Sequence, residues 1–150
     1  MLLDVLVSAL VSAINIGIHA LATVVAVSIA RTAGLRHTDG PRLHLMAVMI
    51  ATAAALSVAH TLEVLVWGCT YRLIQAAPPG SDLLYFAFVN YTTLGYGDIT
   101  PVPEWRLIGP LTAMNGILLF GWSAAILFEV LRKTLEHLEA IERLPGKNRQ

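Results

Sequence analysis

Apolar residues gather in three long runs, 5–30, 43–62 and 107–128, and polar residues crowd the short connections between them. The first run carries His19 as its only ionisable side chain. As a helix it reaches about 39 Å, enough to cross a bilayer with some tilt. The second continues through Val64, Leu65, Val66 and Trp67, and the third is of similar length. Residues 83–91 are also apolar, but far too few to cross. The first run does not read as a signal peptide, since it is too long and Asp4 stands where a basic segment belongs.

The stretch between the second and third runs has its own punctuation. Pro78, Pro79 and Gly80 stop any helix that reaches them. Ser81 is read as the N-cap of a short helix over 82–92, with Asp82 in its first turn, where the helix dipole favours an acid. That helix is about 16 Å long, so it enters a membrane and stops partway. Irregular backbone at such depth survives only when buried in protein or lining a water-filled cavity. Residues 93–98 are therefore expected to be the return limb of a re-entrant loop, with Pro101 and Pro103 preceding the third long helix.

Composition agrees with this pattern. The chain is 56% hydrophobic and 13% charged, about half the charge of an ordinary soluble domain. Zero net charge offers no argument for nucleic acid. The single cysteine, Cys69, excludes an intrachain disulfide; it reads as a buried structural thiol, with an intersubunit disulfide as the alternative. Basic residues are distributed unevenly. Arg31, Arg36, Arg42, Arg132, Lys133, Arg143, Lys147 and Arg149 lie on one side, against Arg72 and Arg106 on the other. The bias makes the first connection and the C-terminus cytoplasmic, and three crossings then put the N-terminus outside. No arginine recurs at every third position of a span, so no voltage sensor is expected. No clustered nucleophile, base or metal-ligand set stands out, which disfavours an enzyme, and no small-molecule substrate is expected.

Within the return limb stands Thr92-Thr93-Leu94-Gly95-Tyr96-Gly97-Asp98, preceded by a short helix and flanked by two spans. Over residues 43–131 the chain resembles the potassium-channel pore-loop family, of two-transmembrane type, with an additional N-terminal helix. The resemblance implies passive, selective K⁺ conduction through a filter at Thr93, Leu94, Gly95, Tyr96 and Gly97, built from four copies of the chain. The permeant ion would be held by the backbone carbonyls of residues 93–96 and by the Thr93 hydroxyl. Carbonyls can replace the ion's hydration shell. Aiming consecutive carbonyls at one axis requires alternate residues at positive φ, which Gly95 and Gly97 adopt without penalty. Leu94 and Tyr96 side chains are expected to pack outward and hold the ring. The family's commonest filter has valine where this chain has Leu94, which keeps the carbonyl and loses the stiffness of β-branching. An acid that pairs with the filter aspartate in two-helix bacterial channels is replaced by Val89. A tryptophan pair is replaced by Tyr85 and Phe86. Thr92, Asp98, Val89, Tyr85 and Phe86 are thus read as an altered filter support.

Outside the motif the readings come from the residues with less help from the resemblance. Gly116 and Gly121 match the family's hinge glycine and a second small position on the inner helix, with close packing as the alternative for Gly116. Thr112 and Asn115 are candidates for a cavity wall, the asparagine equally for a bond to a neighbouring helix. Ala9, Ala13 and Gly17, and Ala47, Ala51, Ala55 and Ala59, form small-residue stripes that predict the first helix packed on the second. His60 and Glu63 share one face, read near the outer end of the second helix, as a structural or proton-sensing pair. His19 and Asn15 read as satisfying helix contacts rather than binding metal. Leu131, Leu135, Leu138 and Ile141 suit a continuation of the inner helix into a short cytoplasmic bundle, leaving no room for a ligand-binding domain.

The expected architecture is an all-α, multi-pass membrane protein of the cell membrane, surrounded by lipid. It comprises an additional helix over 1–31, a cytoplasmic loop over 32–42, a pore domain over 43–131 and a cytoplasmic tail over 132–150. The pore domain divides into an outer helix 43–71, pore helix 82–92, filter 93–98 and inner helix 106–131. The expected function is a homotetrameric K⁺ channel without organic cofactor. The alternatives are a weakly selective or non-conducting pore-loop protein, or an auxiliary membrane subunit.

Overall fold

A computed structural model describes residues 1–34 and 40–142. Four α-helices organise the described residues: α1 (Leu2–Gly34), α2 (Pro41–Leu73), α3 (Leu83–Tyr91) and α4 (Ile108–Glu142), with a single 3₁₀ turn at Pro103–Trp105. No strand occurs among them. α1, α2 and α4 are each long and apolar enough to cross a membrane.

The helices depart from their expected limits for local reasons. Gly40 and Pro41 start α2 two residues early, proline at the first turn having no amide to leave unbonded. α2 ends at Leu73, where Gln75 takes φ +51° and the Ala76 amide reaches back 3.0 Å to the Tyr71 carbonyl. α4 begins at Ile108 rather than residue 106 and continues unbroken to Glu142. The expected boundary at 131/132 is therefore no break in the helix. Arg132 is gripped at that point by Glu129 (2.8 Å) and Glu136 (2.7 Å) one turn to either side. The first connection at 35–39 and the basic positions at 143–150 lie outside the described residues, as does the side chain at 141.

One heptad-like seam runs through each long helix. In α1 the buried positions are Asp4, Ser8, Val11, Asn15, His19 and Ala26; in α2 they include Val48, Thr52, Leu56, Ala59, Glu63, Trp67 and Tyr71. α4 contributes Ile108, Thr112, Asn115, Leu119, Ser123, Ile126, Val130 and Thr134. These seams pack α1 against both α2 and α4. The expectation that α1 docks through its small residues is corrected: Ala9, Ala13 and Gly17 face outward, and a Cβ on Gly17 would meet nothing within 4 Å. α1 docks through its polar stripe instead. Polar groups have no water to bond in an apolar surround, so they are driven to each other. Of the α2 alanines only Ala59 is fully buried, while Ala47 is exposed. Cys69 is exposed, not buried.

α3 lies between α2 and α4. A Cβ at Gly68 of α2 would stand 3.4 Å from Leu84 Cδ1, so this glycine lets the two helices approach closely. Phe86 of α3 packs on Tyr71, ring centroids 5.0 Å apart. The excursion closes on itself, because the Val102 amide donates to the Ala76 carbonyl at 2.9 Å. Residues 77–101 thus leave from and return to one end of α2.

Candidate functional site

α3 is capped at both ends by its own sequence. Asp82, not Ser81, is the N-cap: its Oδ1 accepts the Tyr85 amide at 3.1 Å. The helix is thus Leu83–Tyr91, with the expected terminal residues 82 and 92 serving as caps. At the other end the Leu94 amide donates to Val89 O at 3.0 Å and the Thr93 amide to Asn90 O at 3.0 Å. This pair of bonds is the Schellman pattern, which requires a left-handed residue at Thr93. Thr93 has φ +62°. Glycine is usual at that position; a β-branched residue there is strained by about 1–2 kcal/mol.

Gly95 (φ +61°) and Gly97 (φ +76°) follow, so positive φ recurs at 93, 95 and 97. The two glycines were expected from sequence; Thr93 was not. Leu94 and Tyr96 are 53% and 68% exposed within one chain, and hold nothing in place there.

The support behind the loop is rebuilt with different chemistry. The Tyr85 hydroxyl donates to Asp98 Oδ2 at 2.7 Å, while Asp98 Oδ1 accepts the Ile99 amide at 3.1 Å. Tyr85 therefore ties the end of the loop to the start of α3. The bond holds the Asp98 carboxyl below the usual carboxylate range and pushes the Tyr85 phenol up to about 12. Val89 supplies its carbonyl, which accepts Leu94 and, at 3.5 Å, Gly95. Phe86 is buried packing, and the Thr92 hydroxyl turns back to Phe88 O at 2.7 Å.

The inner-helix glycines differ sharply. A Cβ at Gly116 would overlap the Tyr91 carbonyl oxygen and stand 3.0 Å from the carbonyl carbon. Gly116 is the place where the end of α3 rests directly on α4, which favours the close-packing reading of this glycine. Gly121 meets nothing within 4 Å. Thr112 and Asn115 do not form a cavity wall. Thr112 bonds Tyr71 (2.7 Å), and Asn115 Oδ1 accepts Asn15 Nδ2 and Trp67 Nε1, both at 3.0 Å.

A polar belt crosses all four helices at the depth where α3 ends. His19 Nδ1 lies 2.9 Å from Glu63 Oε1, and His60 Nδ1 lies 3.0 Å from Glu63 Oε2. The Tyr91 hydroxyl donates to Glu63 and sits 2.8 Å from His60 Nδ1. Ser123 Oγ lies 2.8 Å from His60 Nε2 and 3.3 Å from His19 Nε2. Glu63 and His19 are fully buried. His60 lies about 20 Å from the Leu73 end of α2, so the pair sits deep in the span, not near its outer end. His19, read as a helix contact, is an equal member of the cluster. The sequence reading found no ligand set, yet these donors come within 4.8 Å of one another. His60 and Glu63 are three residues apart on α2, but His19 stands 44 residues from Glu63 on α1 and Ser123 104 residues from His19 on α4, and no local motif links these to the pair.

No curated protein and no solved structure matches the chain at a significant level. A family model described as "Ion channel" matches residues 59–133, half of the chain, taking in the belt residues of α2, the whole of α3, the loop and most of α4. With three helices suited to crossing a membrane and a short helix that stops beside a strained glycine loop, the chain is an integral membrane protein and belongs to this ion-channel family, that of two-transmembrane potassium-channel pores.

Proposed function

We propose that the chain is a K⁺-selective channel, with residues 93–97 as its filter and four copies around one axis. The observation that carries this reading is the alternation of positive φ at Thr93, Gly95 and Gly97. An all-β strand points successive carbonyls to opposite sides. Left-handed residues at every second position bring them toward one side, where they replace the water of a dehydrated cation.

Several features support the assembly. One chain supplies one carbonyl strand, so a ring needs copies. Leu94 and Tyr96 present apolar surface that a neighbouring copy would cover, as do Met114, Ile117, Leu118 and Phe120 of α4. The end of α3 points its carbonyl dipoles toward the middle of the span, which favours a cation there. The basic asymmetry of the sequence favours an orientation with residue 1 outside and residue 150 in the cytoplasm. K⁺ is the transported substrate, held by carbonyls of residues 93–96 and the Thr93 hydroxyl.

The test is K⁺ and Na⁺ flux from liposomes holding purified protein, with Gly95→Ala beside the parent. A Cβ at φ +61° costs about 1–2 kcal/mol in each copy. The parent should pass K⁺ over Na⁺, and Gly95→Ala should assemble poorly or lose that preference. An assembled Gly95→Ala protein with unchanged selectivity would refute the carbonyl-ring reading.

A further inference from the structure

We propose that His19, His60 and Glu63, with the Tyr91 hydroxyl, form a binding site for a divalent transition ion of the Zn²⁺ class. The site lies where α1, α2 and α3 meet, apart from the loop, and goes beyond K⁺ conduction. Three observations carry it.

The first is the donor set. Two imidazoles and a carboxylate, with one more oxygen beside them, suit a four-coordinate ion of borderline softness. Hard ions such as Ca²⁺ and Mg²⁺ demand oxygen ligands and fit poorly.

The second is spacing. Tetrahedral Zn²⁺ with bonds of about 2.0–2.1 Å needs ligand atoms about 3.4 Å apart. Here the Nδ1 atoms of His19 and His60 lie 2.9 and 3.0 Å from the two Glu63 oxygens, and Tyr91 Oη lies 2.8 Å from His60 Nδ1. The three ligand groups all fall within 4.8 Å of one another. Replacing the bridging protons by an ion therefore asks the closest pairs to open by about half an ångström, and wider pairs, all within 4.8 Å, to close toward the tetrahedral edge.

The third is orientation. Both histidines turn the same nitrogen, Nδ1, toward Glu63, and both turn Nε2 toward a single oxygen, Ser123 Oγ. Metal-binding histidines usually donate their second ring N–H to an oxygen that fixes the ring. A serine hydroxyl has two acceptor lone pairs and one proton. It can accept from two ring N–H groups at once, the arrangement that metal on both Nδ1 atoms requires. It cannot donate to two bare Nε2 atoms, as two neutral rings that each donate Nδ1–H to Glu63 would require. Ser123 is thus a positioning residue for both ligands. The His60 side chain, 15% exposed, gives the ion its way in, while those of His19 and Glu63 are 0% exposed.

An ion here would join α1, α2 and the last residue of α3. The channel core would then be fastened to the additional helix by a coordination centre.

The experiment is titration of metal-free purified protein in detergent with Co²⁺, read by the visible absorption of tetrahedral Co²⁺. We expect one Co²⁺ per chain, displaced by Zn²⁺. His19→Gln, His60→Gln and Glu63→Gln should each abolish the tetrahedral spectrum. Ser123→Ala, which keeps every ligand, should weaken binding about 10–100-fold. His44→Ala, at the other end of α2, should bind as the parent does. A parent protein without tetrahedral Co²⁺ absorption at millimolar ion would overturn the proposal, and needs no variant to fold. So would a helical, assembled His60→Gln protein that binds as tightly as the parent. The readout is metal absorption, so it is decided separately from K⁺ selectivity.

Discussion

The loop at 92–98 and the polar belt beneath it solve opposite problems. In the loop the side chains are exposed and the backbone is unusual, with positive φ at every second residue. In the belt the backbone is ordinary helix and the side chains are unusual, with a glutamate and two histidines, joined by a buried asparagine pair, bonded at the centre of three apolar spans. The loop is specified by neighbours in sequence. The belt is specified by residues that meet only after the helices pack. The two regions touch at Tyr91, whose hydroxyl enters the belt and whose carbonyl lies against Gly116.

That junction gives the sharpest way to break the comparison. Gly116→Ala forces a methyl into the Tyr91 carbonyl, with no flexible side chain available to give way. Overpacking of this kind costs about 1–3 kcal/mol, and it should displace α3 from α4. We expect a large fall in the melting temperature of the detergent-solubilised protein, together with loss of ion flux. Gly121→Ala, with open space around it, should melt as the parent does. Equal behaviour of the two variants would mean that loop and belt are not coupled through the end of α3.

Trp67→Phe tests the buried polar bonds next to the belt, which Asn15 joins to the Glu63 carbonyl. It removes the indole N–H from Asn115 Oδ1 and keeps most of the ring packing. Asn115 retains Asn15 as donor, so the cost should be about 1 kcal/mol. Thermal unfolding should register the change while K⁺/Na⁺ preference stays with the parent. A change in preference without loss of stability would show that the belt sets loop geometry directly.

The smallest expected effect belongs to the loop. Tyr85→Phe removes the exposed bond to Asp98. The lowered Asp98 pKa makes the contribution of this bond complete above the ordinary carboxylate value, about 3.9, and lost as pH falls through the native value. On the alkaline side it is complete below about 10 and lost as pH rises through about 12. The difference in melting between parent and Tyr85→Phe should therefore be constant from about pH 5 to 9 and shrink in stronger acid. A difference that changes near pH 6.5 would assign the effect to histidine instead.

What was legible in the sequence follows the same division. Three apolar runs gave the spans, and Pro78-Pro79-Gly80 with an acid after them gave the short helix to within a residue at each end. Gly95 and Gly97 announced positive φ because glycine adopts it freely. Thr93 did not, since threonine carries no such mark; it is forced there by the way α3 ends. The Tyr85–Asp98 tie was half legible: the missing acid at Val89 was evident, the substitute donor was not. The belt was least legible. His60 and Glu63 stood out as a pair one helical turn apart, but nothing in the order of residues says that His19, Tyr91 and Ser123 converge on them. The alanine and glycine stripes of α1 misled because small residues suit a lipid-facing surface as readily as an interface, and the polar stripe had the stronger claim to the interior.

The way α3 ends leaves this chain no spacer. Thr93 closes the helix through the Leu94–Val89 and Thr93–Asn90 bonds, and is also the first of the left-handed positions that shape the loop. Helix length and loop register are consequently one variable. An insertion or deletion of one residue between Asp82 and Thr92 would not simply lengthen or shorten a rod; it would hand the left-handed position to a neighbour and turn every following carbonyl to the wrong side. Length along this segment is thus constrained by geometry, whereas the Leu94 side chain, exposed within one chain, leaves the backbone alternation untouched.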